Sequence, residues 1–268
     1  MTPPLPEPLA REARRLEAGF SGVLALWVHD LRHRESYGLR AEEAFPSAST
    51  IKLFVLRELF RQVEAGHLSL DDDVVLRRRD AVPGTGVLKD LRPGLRLRLR
   101  DSATLMISVS DNVAANLLIE RLGTAAINRA TRDAGYAATR LGGKLFRARS
   151  RNQSTTTARD AGRLLLELAR GRAVSRAASG AMLRILRLRQ PNEIVGRLIA
   201  CEDVCIASKG GTLPGVRHDV AYVQAPPARY VVALLSRDCV DDRPTVDNEA
   251  VLCLAHVARA VHEHASRP

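Results

Sequence analysis

Phe45-Pro46-Ser47-Ala48-Ser49-Thr50-Ile51-Lys52 is the stretch around which the rest of the chain can be read. Leu53, Leu56, Phe60 and Val63 follow it at helical spacing, and Gly66 closes the run. The pattern predicts a loop that enters a helix over about 49–65. Ser49 then stands in the first turn, with Lys52 one turn on and on the same face, its amine within reach of the serine hydroxyl. The helix N-terminus adds free backbone N–H groups and partial positive charge at Ser49. A serine hydroxyl is a poor nucleophile until a base takes its proton, and a neutral lysine amine can be that base.

The basic residues point the same way. Only four of the 41 Lys and Arg residues are lysines: Lys52, Lys89, Lys144 and Lys209. Arginine cannot give up its proton at ordinary pH, whereas lysine can when burial or a nearby cation depresses its pKa. Lys52 and Lys209 each lie in a short motif, and a third motif, Ser110-Asp111-Asn112, falls between them. In a tight turn between helices, Ser110 can relay a proton to a leaving nitrogen. Asn112 can hold the Lys52 amine and a substrate amide. Lys209 can hold Ser110 and attract a substrate carboxylate. Gly210 and Gly211 leave their strand open for a substrate to lie along it. The N–H of Thr212, with that of Ser49, can form an oxyanion hole. Each motif alone is common; the three in this order carry the reading.

Composition excludes other classes. The net charge of +11 raises the question of a nucleic-acid partner, but only 4% of residues are aromatic and the arginines are scattered, so stacking platforms for bases are scarce. No apolar run approaches the length of a membrane span. The N-terminal Met1-Thr-Pro-Pro-Leu-Pro-Glu-Pro8 lacks the pattern of a signal peptide, which places the chain in the cytoplasm, or outside the cell if an export segment has been trimmed. The four cysteines read as reduced small hydrophobes, and a Cys201–Cys205 metal pair lacks further ligands nearby. No phosphate-cradling loop, dinucleotide fingerprint or metal cluster is present, and Gly84-Thr-Gly86 reads as a plain turn. The expectation is a monomer with a small-molecule substrate and no cofactor, metal, nucleic acid or membrane partner.

Strand-like runs lie at both ends of the chain, at 22–29, 36–39, 204–208, 219–224 and 230–236. Helical periodicity fills the middle and returns at 248–264. Asp101 is positioned to cap a helix from Ser102. The fold class expected is α/β (α+β, multi-domain): an antiparallel sheet flanked by helices, with an inserted all-α domain. Residues 1–8 are expected to be flexible. Residues 9–46 and 200–268 would form the α/β lobe and 47–199 the all-α lobe, with the site where they meet.

These residues resemble class A β-lactamases and the wider penicillin-recognising serine hydrolases. The resemblance rests on 45–52, on Gly66-His-Leu-Ser-Leu-Asp-Asp72, on Met106-Ile-Ser-Val-Ser-Asp-Asn-Val-Ala-Ala-Asn116 and on Thr155-Thr-Thr-Ala158, and it spans about 10–264. It implies acylation of Ser49 by a β-lactam or another small amide or ester bearing a carboxylate. A D,D-peptidase, an esterase, or a protein that is acylated without turnover are the alternatives on the same scaffold. Two departures matter. The family places a deacylating glutamate on the omega loop, yet 134–159 holds no Asp or Glu. Gly210 stands where a Thr or Ser is usual. Turnover is therefore expected to be slow, with Lys52 the remaining base. Arg217 and His218, on the facing strand of Val216-Arg-His-Asp219, are candidates to bind a substrate carboxylate. The alternative is that Asp219 pairs with one of them for structure.

Overall fold

The computed structural model describes residues 2–146, 153–190, 193–199 and 203–267. In chain order the first elements are α1 (Glu7–Ala18), β1 (Val23–Asp30), β2 (Glu35–Leu39), β3 (Phe45–Pro46) and, after a 3-10 turn at Ala48–Ile51, α2 (Lys52–Glu64). Next come β4 (Asp73–Val75), β5 (Arg96–Arg98), α3 (Leu99–Ser108), α4 (Asn112–Leu122), α5 (Thr124–Asp133) and β6 (Thr155–Thr156). The chain closes with α6 (Ala158–Ala169), α7 (Arg176–Leu186), β7 (Cys205–Leu213), β8 (Val216–Ala225), β9 (Ala228–Arg237) and α8 (Glu249–Ala265). Two compact units result. One holds 1–50, 156–166 and 192–268; the other holds 51–155 and 167–191.

The first unit is built on an antiparallel sheet of order β2-β1-β9-β8-β7. Strand β1 is buried along nearly its whole length, because both of its faces are covered. Leu24, Leu26 and Val28 of β1 pack with Leu9 and Ala13 of α1 and with Leu254, Val257 and Val261 of α8. The alternate residue Trp27 faces α6, so close to Gly162 that a Cβ there would stand 2.2 Å from the indole. Each large aliphatic side chain buried this way contributes roughly 1.5–3 kcal/mol. β7 is an edge strand.

The second unit is centred on α2, whose residues Leu53 to Leu56 are all buried; α4, α5 and α7 pack around it. A helix buried on nearly every side explains why its apolar pattern is broader than a single stripe.

The expected fold class is observed, with local corrections. Residues 2–6, expected to be flexible, are held along β2: Thr2 donates from its N and Oγ1 to Glu42 (2.9 and 2.6 Å), Gly38 N–H donates to Pro3 O, and Leu5 is buried. The prolines withhold donors, but their carbonyls still accept. The helical unit is not all-α, because β4 and β5 pair antiparallel within it. Residues 47–50, 156–166 and 193–199 cluster with the sheet. Asp101 does not cap α3; the cap is Arg98, whose N–H faces the Asp101 carboxylate three residues on. β7 continues past Ser208 to Leu213, so Lys209, Gly210, Gly211 and Thr212 all lie within a strand. Cys205, Cys239 and Cys253 are free thiols; Cys201, and with it the Cys201–Cys205 pair, lies outside the described residues. Among the described residues no helix is long and apolar enough to cross a membrane.

Candidate active site

In the helical unit, Lys52 opens α2 and is fully buried. Its Nζ stands 2.6 Å from the Ser110 carbonyl oxygen, 2.8 Å from Asn112 Oδ1 and 3.1 Å from Ser110 Oγ. Burial pushes its pKa down to about 7, against an opposing pull from the Asp111 carboxylate. A neutral amine has two N–H donors and one lone pair. The carbonyl and the amide oxygen can only accept, so they take the two donors. The Ser110 hydroxyl, which can donate or accept, is a third partner within reach of the amine. A proton can therefore pass between Lys52 and Ser110 without rearrangement of the other two contacts.

The turn that presents Ser110 is held by a segment the sequence reading passed over as a plain turn. Thr85 Oγ1 donates to the Ser110 carbonyl (2.8 Å), and Asn112 N–H donates to Thr85 O. Asn112 Nδ2 donates to Pro83 O (3.1 Å). Asp111 caps α4 through Ala114 N–H and also accepts from Val87 and Leu88 N–H (2.7 and 2.9 Å). Lys89, a third lysine, donates to the carbonyls of Gly84 and Gly86. Gly86 has φ +107°, and a Cβ there would meet Asp111 Cγ at 2.3 Å. The sequence signal was the pair of glycines flanking Thr85: close backbone approach to a polar turn needs them.

In the sheet unit, Ser49 lies in the 3-10 turn that leads directly into α2. Ala48 before it has φ +44°, and Ser110 has φ +54°. Left-handed backbone in non-glycine residues costs energy and gathers at functional sites. Gly211 of β7 passes against this turn. A Cβ at Gly211 would stand 3.0 Å from Ala48 Cβ and 3.1 Å from Ser49 N, so a larger residue here would push the turn or the strand by a few tenths of an ångström. Lys209 is 98% covered, with Nζ 2.8 Å from Gly210 O. Gly210 is half-buried and Thr212 exposed on the same edge strand.

Arg217 and His218 are not placed to bind a substrate carboxylate, contrary to expectation. Arg217 is buried; NH1 donates to Leu213 O and Val216 O, and NH2 to Asp242 O and Arg243 O. His218 is buried, with Nε2 2.6 Å from Pro46 O and Nδ1 2.7 Å from Arg217 O and 3.2 Å from Ser236 N. Burial pushes its pKa down to about 4, so the ring is neutral and carries one proton between two facing carbonyls. Both side chains instead brace main chain, Arg217 in the loop after β9 and His218 ahead of Ser49. Asp219 accepts from Val195 N–H (3.2 Å).

In the segment expected to lack a carboxylate, Arg140 and Thr155 exchange backbone hydrogen bonds, and both amide atoms of Asn116 grip the main chain of Leu145. Residues 147–152 of that segment lie outside the described residues.

The family model described as the β-lactamase enzyme family (Beta-lactamase2) matches residues 8–265. The chain belongs to that family. A β-lactamase of Rhodobacter capsulatus is 29% identical over 260 residues, covering 95% of this chain and 88% of that relative. The crystal structure of a β-lactamase from Sphaerobacter thermophilus matches with a TM-score of 0.89 at 30% identity, over 97% of this chain and 98% of that one. The structure named PBP-A matches with a TM-score of 0.88 at 27% identity, over 98% and 97% of the two chains. A point mutant of PBP-A, solved as an acyl-enzyme complex with penicillin G, matches at 0.87 and 26%. The β-lactamase-like SxxK family expected from the motifs is thus the family found. Among the described residues, no group of three or more His, Cys, Asp or Glu side chains could hold a metal ion.

Proposed function

We propose that Ser49 of this β-lactamase-family enzyme is acylated by β-lactams, or by similar small amides and esters that carry a carboxylate, and that the acyl-enzyme is released slowly. The observation that carries the reading is Lys52: a buried amine with a pKa near 7, held by Ser110 and Asn112 rather than by a carboxylate. Such an amine is half neutral at ordinary pH, close to the optimum for a general base.

In the proposed reaction the Ser49 oxygen bonds to the substrate carbonyl carbon as its proton passes to the Lys52 lone pair. The N–H groups of Ser49 and Thr212 donate to the oxyanion that forms. The carbon–nitrogen bond then breaks. The leaving nitrogen takes the Ser110 proton, and Ser110 regains one from the Lys52 ammonium. Lys209 contributes the positive charge that attracts the substrate carboxylate. Hydrolysis of the ester then falls to water activated by Lys52, because 134–159 offers no carboxylate base. That same lack favours a second reading, a penicillin-binding protein that stays acylated. A D,D-peptidase or esterase would use the same acylation step.

Intact-mass measurement after addition of penicillin G tests this. The expected result is a one-to-one adduct that decays over minutes to hours with hydrolysed product in solution, and that is absent from Ser49→Ala. A permanent adduct with no product supports the trap. No adduct, together with no hydrolysis of a chromogenic cephalosporin or an activated ester, overturns both.

A further inference from the structure

The chain has five Phe, four Tyr and one Trp, and nine of these ten side chains are at most 7% exposed. Phe146, in the helical unit, is the exception at 52%. A ring left half in water keeps apolar area that a ligand can cover. Its backbone is unusual as well. Phe146 has φ +54°, a left-handed conformation that bulky residues rarely adopt and that gathers at functional sites.

Two contacts fix where the ring lies. Leu145, the residue before it, donates its N–H to Asn116 Oδ1 (2.7 Å) and accepts from Asn116 Nδ2 on its carbonyl (3.0 Å). Asn116 is one turn beyond Asn112 on α4, so the two amides share a face of that helix. The ring itself lies against Gly84: a Cβ there would stand 3.5 Å from Phe146 Cε2 and 2.6 Å from Asn112 Nδ2. Ring edge and Asn112 amide are thus neighbours across a single glycine. Asn112 Oδ1 accepts from Lys52, and Nδ2 gives one hydrogen to Pro83 O, which leaves the second for a substrate carbonyl.

We infer that Phe146 selects substrates whose acyl group carries an aromatic ring. The inference rests on the acylation reading, in which Asn112 holds the substrate amide. The group attached to that amide then extends past Gly84 onto the exposed face of Phe146. Two rings packed offset or edge to face attract each other beyond the area they bury, so an aryl substituent gains where a methyl group does not. Asn112 reads the amide, and Phe146 reads what the amide bears.

Second-order acylation rates, taken from time-resolved intact mass, test this with two penicillins that share nucleus and amide. One is penicillin G, with its phenylacetyl group; the other carries acetyl in that place. The parent should favour penicillin G by about tenfold or more. Phe146→Asn removes the ring but tolerates a left-handed backbone. It should lose the preference and keep the parent's rate with the acetyl compound. Phe146→Tyr keeps the ring and should keep the preference. Melting curves of both variants confirm that they are folded. Four results overturn the inference and leave the acylation reading standing: no preference in the parent, an unchanged preference in Phe146→Asn, an equal loss of rate with both penicillins in that variant, or loss of the preference in Phe146→Tyr. No adduct of the parent with either penicillin overturns both.

Discussion

The His218 ring nitrogen Nε2 stands 2.6 Å from the carbonyl oxygen of Pro46, three residues ahead of Ser49. The contact joins strand β8 to the turn that carries Ser49, the proposed nucleophile. His218→Leu should leave Pro46 O and Ser236 N–H unpaired and cost about 2–4 kcal/mol, read as a lowered melting temperature at pH 7. The pH dependence has a defined sign. Burial holds the folded-state pKa near 4, below the ordinary 6.5. The unfolded chain binds the extra proton between those values, so stability from this group rises from pH 4 to 6.5 and is absent below pH 4. The leucine variant should lose that part of the slope in urea titrations across this window.

In the proposed reaction Lys52 sets the pH dependence of acylation. The neutral amine is the competent form, so adduct formation should rise tenfold per pH unit below about 7 and level off above it. Lys52→Arg should give no measurable adduct, because arginine keeps its proton. The stability sign is the reverse of a salt-bridged lysine. The folded pKa lies below the ordinary 10.5, so the protein gains stability as pH rises from about 7 to 10.5 and carries the full cost of a buried ammonium below 7. Lys52→Met should flatten that rise in denaturant midpoints measured across the same range.

Gly211→Val should damage chemistry more than stability. The new side chain would begin 3.0–3.1 Å from Ala48 Cβ and Ser49 N and would displace the turn that carries the hydroxyl. A shift approaching 1 Å costs about a hundredfold in rate. Stopped-flow acylation by a chromogenic cephalosporin reads this directly, and an unchanged rate would refute the role given to this glycine.

Gly86→Ala tests the segment that grips the Ser-Asp-Asn turn. The methyl group would meet Asp111 Cγ at 2.3 Å in a backbone at φ +107°. Strain of about 1–3 kcal/mol is expected from the backbone alone. Acylation should fall along with the melting temperature, because Ser110 and Asn112 would shift with Asp111. Thr85→Val is the gentler companion: it removes one donor to the Ser110 carbonyl that also receives Lys52, and it should move the pH midpoint of acylation with little loss of melting temperature.

Much of the fold could be read from the chain because its signals are local. Strands β8 and β9 and helices α4, α5 and α8 carry apolar period and end signals within their own residues, as Asp111, Gly123 and Asn248 illustrate at helix termini. The lysine, serine and asparagine of the first two motifs were legible for the same reason: scarce residue types in ordered motifs. Arg217 and His218 were misread because a polar residue beside a site motif looks the same whether it faces substrate or main chain. Only the fold reveals that four carbonyls surround one and that Pro46 meets the other. The hold of 83–89 on Ser110 was hidden for a related reason. Its bonds run mostly from backbone, which every sequence possesses.

The division of the four lysines has a practical corollary. Lys52 and Lys209 are sealed from solvent, while Lys89 and Lys144 each keep about a third of their side-chain surface. Amine-directed reagents, whether an N-hydroxysuccinimide dye or a resin used for immobilisation, will therefore find only these two side chains. One of them is the clamp on Gly84 and Gly86. Tethering through Lys89 would tug at the support of the proposed reaction centre without entering it, so Lys144, which pairs with Glu120, is the gentler point of attachment for this protein on a surface.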